Sequence, residues 1–197
     1  MTRLVLASGS GARRTLLANA GLAFDVVPST VDERAVEAPL IAAGASPAEI
    51  ASALAAAKAI EVSARRPATL VIGADQTLDC DGHRGTKSET LAEARLHLAR
   101  LAGRSHQLHS AVAVARDGAL LWQHRDSATL TMRLLTAAAI DAYLARVGPD
   151  VLKSVGVYQL EGQGVRLFDT IEGSYFTILG LPLLPLLAYL RREGAIE

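Results

Sequence analysis

Ala7-Ser8-Gly9-Ser10-Gly11-Ala12-Arg13-Arg14 gathers hydroxyls, glycines and guanidinium groups into one short stretch. An apolar run from Leu4 to Ala7 leads into it, and Leu16, Leu17 and Ala20 follow at helical spacing, so it reads as a strand-to-helix turn. A helix N-terminus offers unpaired N–H groups and the positive end of the helix dipole, and glycines let an anion come close. Ser8 and Ser10 would add hydroxyl donors, and Arg13 and Arg14 charged forks. That is phosphate chemistry, although a capped helix with two solvated arginines fits the same residues. The spacing is not that of a P-loop, because no Lys-Ser/Thr pair follows.

Asp75 closes the apolar run Thr69 to Ala74, which reads as a buried strand. Ligands in open α/β sheets bind beyond the carboxyl ends of strands. A carboxylate there can hold Mg²⁺ or take a proton from water, or it can simply open a turn. Glu33 lies in Val31-Asp32-Glu33-Arg34, and Lys87 follows the hairpin signal Asp81-Gly82. Lys58 interrupts an alanine-rich helical run that offers no polar face at that turn. Each of these charges taken singly is an ordinary surface charge. Glu161, among the glycines of the segment 154–164, could accept from two N–H groups of a guanine edge or face water. The histidines 83, 97, 106, 109 and 124 form no metal motif, and His106 and His109 would point to opposite sides of a strand. Cys80 has no basic neighbours and reads as an incidental thiol.

The elements that must position these residues follow from the pattern. Strands are expected at 3–7, 24–27 and 69–74, then a hairpin of 105–115 and 119–132 turned by Arg116-Asp117-Gly118. Helices are expected at 13–20, from Ser46-Pro47 to about Arg65, at 89–101 and at 136–146. A buried terminal helix is expected behind Pro182, ending on Arg191 and Arg192. Residues 28–46 read as loop, and 150–178 as strands punctuated by glycine. Strands alternating with helices and then a long hairpin predict an α/β fold with a mixed sheet. The region 103–178 is a candidate second lobe within a single domain of 1–197.

Composition narrows the field. Twenty basic and twenty acidic residues give 197 residues no net charge, which argues against sequence-independent nucleic-acid binding. One cysteine excludes an intramolecular disulfide framework. The apolar start is shorter than the roughly 7–15 residues of a secretory signal, and Leu179 to Leu190 is shorter than a membrane span of about 20. A cytoplasmic protein with no membrane or nucleic-acid partner is therefore expected.

Taken in order, these segments resemble the Maf family of nucleoside triphosphate pyrophosphatases over nearly the whole chain. The resemblance runs from Leu6-Ala7-Ser8-Gly9-Ser10 and Arg13-Arg14 through Val31-Asp32-Glu33, Lys58 and Gly73-Ala74-Asp75. It continues with Lys87 and the stretch Leu101 to Gln107, and closes on Glu172 to Tyr175 and Leu179 to Leu183. It implies a mixed twisted sheet with flanking helices and two lobes around a deep cleft. It also implies cleavage of a nucleoside triphosphate to the monophosphate and pyrophosphate, a divalent cation (Mg²⁺, or Mn²⁺) as cofactor, and a homodimer as a common assembly. By the same resemblance Asp75 is the proton acceptor and, with Glu33, a metal ligand. Ser8, Ser10 and Arg13 cradle phosphates, with Arg14 as a further candidate or as a residue that fixes the loop. Lys58 and Lys87 neutralise the polyphosphate. Ala12, Gln76 and Glu161 match the positions tied to base choice. The Gln76 and Glu161 pair resembles the branch acting on 7-methyl-GTP rather than the one acting on dTTP and UTP. Three departures from the family pattern stand out: Gly11 and Ser88 in place of prolines, and Ala12 in place of an aromatic. A nucleotide-binding regulator of division and an ITP/XTP-type pyrophosphatase are the competing readings.

Overall fold

The computed structural model describes residues 3–197, so Met1 and Thr2 of the N-terminal reading lie outside it. The chain opens with β1 (Leu4–Leu6), α1 (Gly11–Asn19), β2 (Phe24–Val26), α2 (Glu33–Ala42) and α3 (Pro47–Ala64). The centre is built from β3 (Leu70–Cys80), β4 (His83–Gly85), α4 (Leu91–Leu101), β5 (Ser105–Arg116) and β6 (Ala119–Met132). After these come α5 (Ala137–Val147), β7 (Phe168–Glu172), the short α6 (Tyr175–Ile178) and α7 (Leu183–Arg192). Side-chain caps start the helices where the chain supplies them. Ser10, Asp32, Thr90 and Thr136 accept from backbone N–H groups of the first turn, and Ser46 forms a reciprocal capping box with Glu49.

The strands form one mixed sheet in the order β2-β1-β3-β5-β6-β7, with β4 also on β3. β1 runs parallel to β2 and β3, and the other pairs are antiparallel. β5 takes one edge of β3 along Val71–Asp79. β1 pairs at Leu70–Ile72 and β4 at Leu78–Cys80, so both must share the other edge. Between them, at residues 73–77, that edge of β3 has no strand neighbour among the described residues. The sheet therefore carries a notch, with Asp75 at its centre.

Strand alternation divides the side chains of β3. Val71, Gly73, Asp75 and Thr77 share the face covered by α3. There Ala51, Ala55 and Ala59 pack on Ala111, Ala113 and Ala115. Gly73 lets the helix come this close, since a Cβ on it would lie 2.6 Å from the Ala59 nitrogen and closer still to the Ala55 carbonyl. The opposite face carries two apolar clusters. One gathers α1 and α7 on Ile72, Ala74, Val112 and Val114. The other gathers α4, α5 and residues 155–160 on Leu78, Leu108 and Leu130. Among the described residues no helix is long and apolar enough to cross a membrane.

The structure corrects four expectations. Residues 33–42, read as loop, form α2, with Pro39 inside it and no buried side chain. The strand expected to stop at Ala74 runs on to Cys80, so Asp75 is a mid-strand residue and not the start of a turn. The first helix begins at Gly11, not Arg13, because Ser10 caps it. Residues 150–178 hold a single strand, β7, after two 3₁₀ segments at 148–153 and 163–167.

Candidate active site

Three elements meet at the notch. β3 presents Asp75, α3 presents Lys58, and the first residue of α2 is Glu33. Lys58 Nζ lies 2.6 Å from Asp75 Oδ1 and 2.7 Å from Glu33 Oε1. Lys58 and Asp75 are buried, at 9% and 8% exposure, whereas the Glu33 side chain is half exposed. A buried ammonium bridging two carboxylates is stable only when paired in this way. The two acids are driven apart in acidity. Burial pushes Asp75 above the usual carboxylate range, against the pull of Lys58 and Arg13. Partial burial pushes Glu33 up too, but the hydrogen bond and charge of Lys58, with Lys87 and Arg13 behind them, hold it below its usual value. A carboxylate with raised pKa beside one kept ionised is the pattern of a proton acceptor and a charge holder.

Arg13 fills the notch. Its Nη1 donates to Ala74 O at 2.8 Å and to Ser8 Oγ at 3.1 Å, and its Nε donates to Gly180 O at 2.8 Å. Ala74 O is a backbone acceptor on the stretch of β3 without a strand neighbour, and the guanidinium satisfies it. Arg13 thus ties the Ser8–Ser10 turn, the central strand and the turn before α7 together. The fixing role that the sequence offered for Arg14 belongs to Arg13, and Arg14 is exposed on the outer face of α1. Ser8 is buried and Ser10 half-buried, with Ser10 Oγ occupied as the α1 cap. Lys87 is exposed beyond β4 and contributes charge toward Glu33.

Gln76 and Glu161 do not join the Lys58 cluster. Gln76 follows Asp75 in the strand and so faces the opposite side. Its Nε2 lies 3.0 Å from Ser110 Oγ, Thr177 O and Ile178 O, which pins α6 to the sheet. Gln76, Ser110 and Asp126 stand in register across β3, β5 and β6. Thr177 closes this row by donating its hydroxyl to Asp126 Oδ2 at 2.7 Å. Glu161 is exposed in the turn before the second 3₁₀ segment.

The structure adds a pair that sequence reasoning passed over. Arg84 on β4 grips Glu37 on α2 through both nitrogens, at 2.5 and 2.7 Å. The hint was present in the hairpin itself, where Arg84 stands three residues before Lys87, and in Glu33 and Glu37, which share one helical face.

Residues 3–193 match the family model described as Maf-like protein. The chain belongs to the Maf family. A Rhizobium etli Maf relative named 7-methyl-GTP pyrophosphatase is 55% identical over 195 residues, 99% of this chain and 98% of that one. A Caulobacter vibrioides relative named nucleoside triphosphate pyrophosphatase is 53% identical over 196 residues, 100% of this chain and 98% of that one. The solved structure of a nucleoside-triphosphatase / dITP/XTP pyrophosphatase from Mycobacterium abscessus is similar at 17% identity and a TM-score of 0.45, covering 98% of this chain and 95% of that one.

Proposed function

We propose that this Maf protein hydrolyses a nucleoside triphosphate to the monophosphate and pyrophosphate, with a 7-methylated guanine nucleotide as its substrate. The observation that carries the reading is Lys58 Nζ held between a buried Asp75 and a half-exposed Glu33, at 2.6 and 2.7 Å, beside the Ser8–Arg13 turn. The names of relatives more than half identical over the full chain support it.

In the reaction, a water oxygen forms a bond to the α-phosphorus and the bond from that phosphorus to the α,β-bridging oxygen breaks. Asp75 takes the water proton, and pyrophosphate leaves with the bond electrons. Lys58 stabilises the charge growing on the phosphoryl oxygens, and Lys87 meets the outer phosphates, so the rate gain comes from placed charge and orientation. Arg13 holds the turn on which Ser8 and Ser10 face the phosphates. Glu161 accepts from the two N–H donors of the guanine edge.

Asp75 and the half-exposed Glu33, brought together by Lys58, are the two carboxylates that would hold a cation. Among the described residues no group of three His, Cys, Asp or Glu side chains could hold a metal ion. Two carboxylates are the donor set that suits Mg²⁺, which is commonly held by one or two carboxylates together with substrate phosphates. When bound, it supplies charge neutralisation on the polyphosphate.

The test is pyrophosphate release from a panel of 7-methyl-GTP, GTP, dTTP, UTP, ITP and XTP with Mg²⁺ present. Cleavage of 7-methyl-GTP above the others is expected, with Asp75→Asn slower by at least ~10²-fold. No cleavage of any nucleotide, or an unimpaired Asp75→Asn, defeats the proposal. Preference for dTTP or for ITP defeats its substrate assignment.

A further inference from the structure

The segment before Glu161 concentrates two energetically unfavourable features. Val157 is fully buried yet has φ +59, a region in which a β-branched side chain crowds its own backbone. Next to it the Tyr158 hydroxyl meets His106 Nε2 at 2.7 Å inside an apolar cluster. His106 is 2% exposed, and its Nδ1 has no hydrogen-bond partner among the described residues. Burial pushes this imidazole down to about 4, so the pair is neutral. A buried polar pair with an unsatisfied atom is less stable than an apolar pair of the same shape.

The surroundings are built to keep both features. Tyr143 Oη donates to Val157 O at 3.3 Å, and Ser154 Oγ donates to Tyr158 O at 2.6 Å. Phe168 packs edge-on against the Tyr158 ring at 4.8 Å. A Cβ on Gly156 would lie 2.7 Å from Tyr158 Cζ, so only glycine leaves room for the ring. The next residue, Gln159, accepts at its carbonyl from the N–H groups of Gly162 and Gly164, both at 3.1 Å. Glu161 therefore sits in a turn closed on Gln159, three residues beyond the clamped tyrosine, and both Gln159 and Glu161 face outward.

We infer that the His106–Tyr158 hydrogen bond, with the left-handed Val157 beside it, is a positioning device that sets Glu161 for base recognition. The inference rests on the reading of Glu161 as the residue that meets the base. His106 and Tyr158 touch no substrate; they fix where the turn stands. The strain is retained because an apolar replacement would be at least as stable but would leave the turn free to settle elsewhere.

The double variant His106→Leu/Tyr158→Phe separates stability from positioning, because replacing both partners removes the orphaned nitrogen as well as the bond. It is expected to melt at or above the wild-type temperature. For 7-methyl-GTP its KM should rise about tenfold with kcat within about twofold, the scale of one hydrogen-bonded contact, while kcat/KM for dTTP holds. Tyr158→Phe alone should show the same shift in ratio. A double variant that keeps the wild-type ratio of kcat/KM for 7-methyl-GTP over dTTP overturns the inference. Glu161→Gln in the same panel tells the two failures apart. If it leaves the ratio unchanged, the reading of Glu161 falls and the clamp's purpose with it. If it collapses the ratio and the double variant does not, only the clamp is wrong.

Discussion

Lys58 is what allows Asp75 to be buried and still bear a charge. Replacing it with methionine keeps the volume of the stem and strands the carboxylate. Loss of one partner of a buried pair costs about 3–5 kcal/mol, offset in part when the stranded acid takes a proton. The sign with pH follows from the direction of the Asp75 shift, since a carboxyl with raised pKa binds more protons folded than unfolded. Lys58→Met should therefore be most stable in acid and lose stability as pH rises through the raised Asp75 pKa, which melting curves across pH would read. In the wild type, where Lys58 pulls the Asp75 pKa lower than in the variant, the rate should climb as pH rises through that pKa, because in the proposed reaction Asp75 accepts a proton from water. The types of these residues were legible in the sequence: a lysine without a polar helix face, and an aspartate ending an apolar run. Their pairing was not, because helical and strand periods say which face a residue takes and not which elements meet.

At the scale of elements, α2 is the weakly held piece. It buries no side chain; it rests on α3, and the ion pairs of Glu33 with Lys58 and Glu37 with Arg84 tie it to α3 and β4. Arg84→Ala should speed amide exchange across 33–42 and raise KM, with little change in melting temperature; unchanged exchange there would remove the tether from the account. The sequence hid this helix behind Pro39 and Gly44, which ordinarily interrupt helices. Pro39 is tolerated seven residues in, on an exposed helix, and the missed signal was Asp32, whose carboxylate caps the Arg34 and Ala35 N–H groups. The seat of α3 is the opposite case. Gly73→Ala forces backbone against Cβ at Ala55 and Ala59, next to Lys58. Overpacking of this kind costs about 1–3 kcal/mol or more. The melting temperature and kcat should fall together, because the helix that must move away carries the lysine. A Gly73→Ala protein with normal kcat would show that α3 can shift without disturbing the Lys58 contact.

For the whole molecule, two apolar clusters sit on one face of a single sheet, divided by the row Gln76, Ser110 and Asp126. The strand-and-helix order that predicted a mixed sheet was legible from alternation, turn pairs and caps. Strand β3 was cut short because Asp75 broke its apolar run, and only tertiary pairing with Lys58 lets that run continue. The glycine-rich region 150–178 misled for a related reason: its valines favour strands, but its backbone curls around Tyr158 instead. The length of β3 has a mechanical meaning. One uninterrupted beam of eleven residues carries Asp75 and runs under both apolar clusters. Such a beam cannot fold at its middle, so the molecule has no hinge there to absorb heat or load. Asp75 should hold its place until the entire sheet gives way. Activity lost on gentle warming, before the cooperative melt, should then come back on cooling, because the part that loosens first is the outlying helix that brings Glu33 and not the strand that holds Asp75.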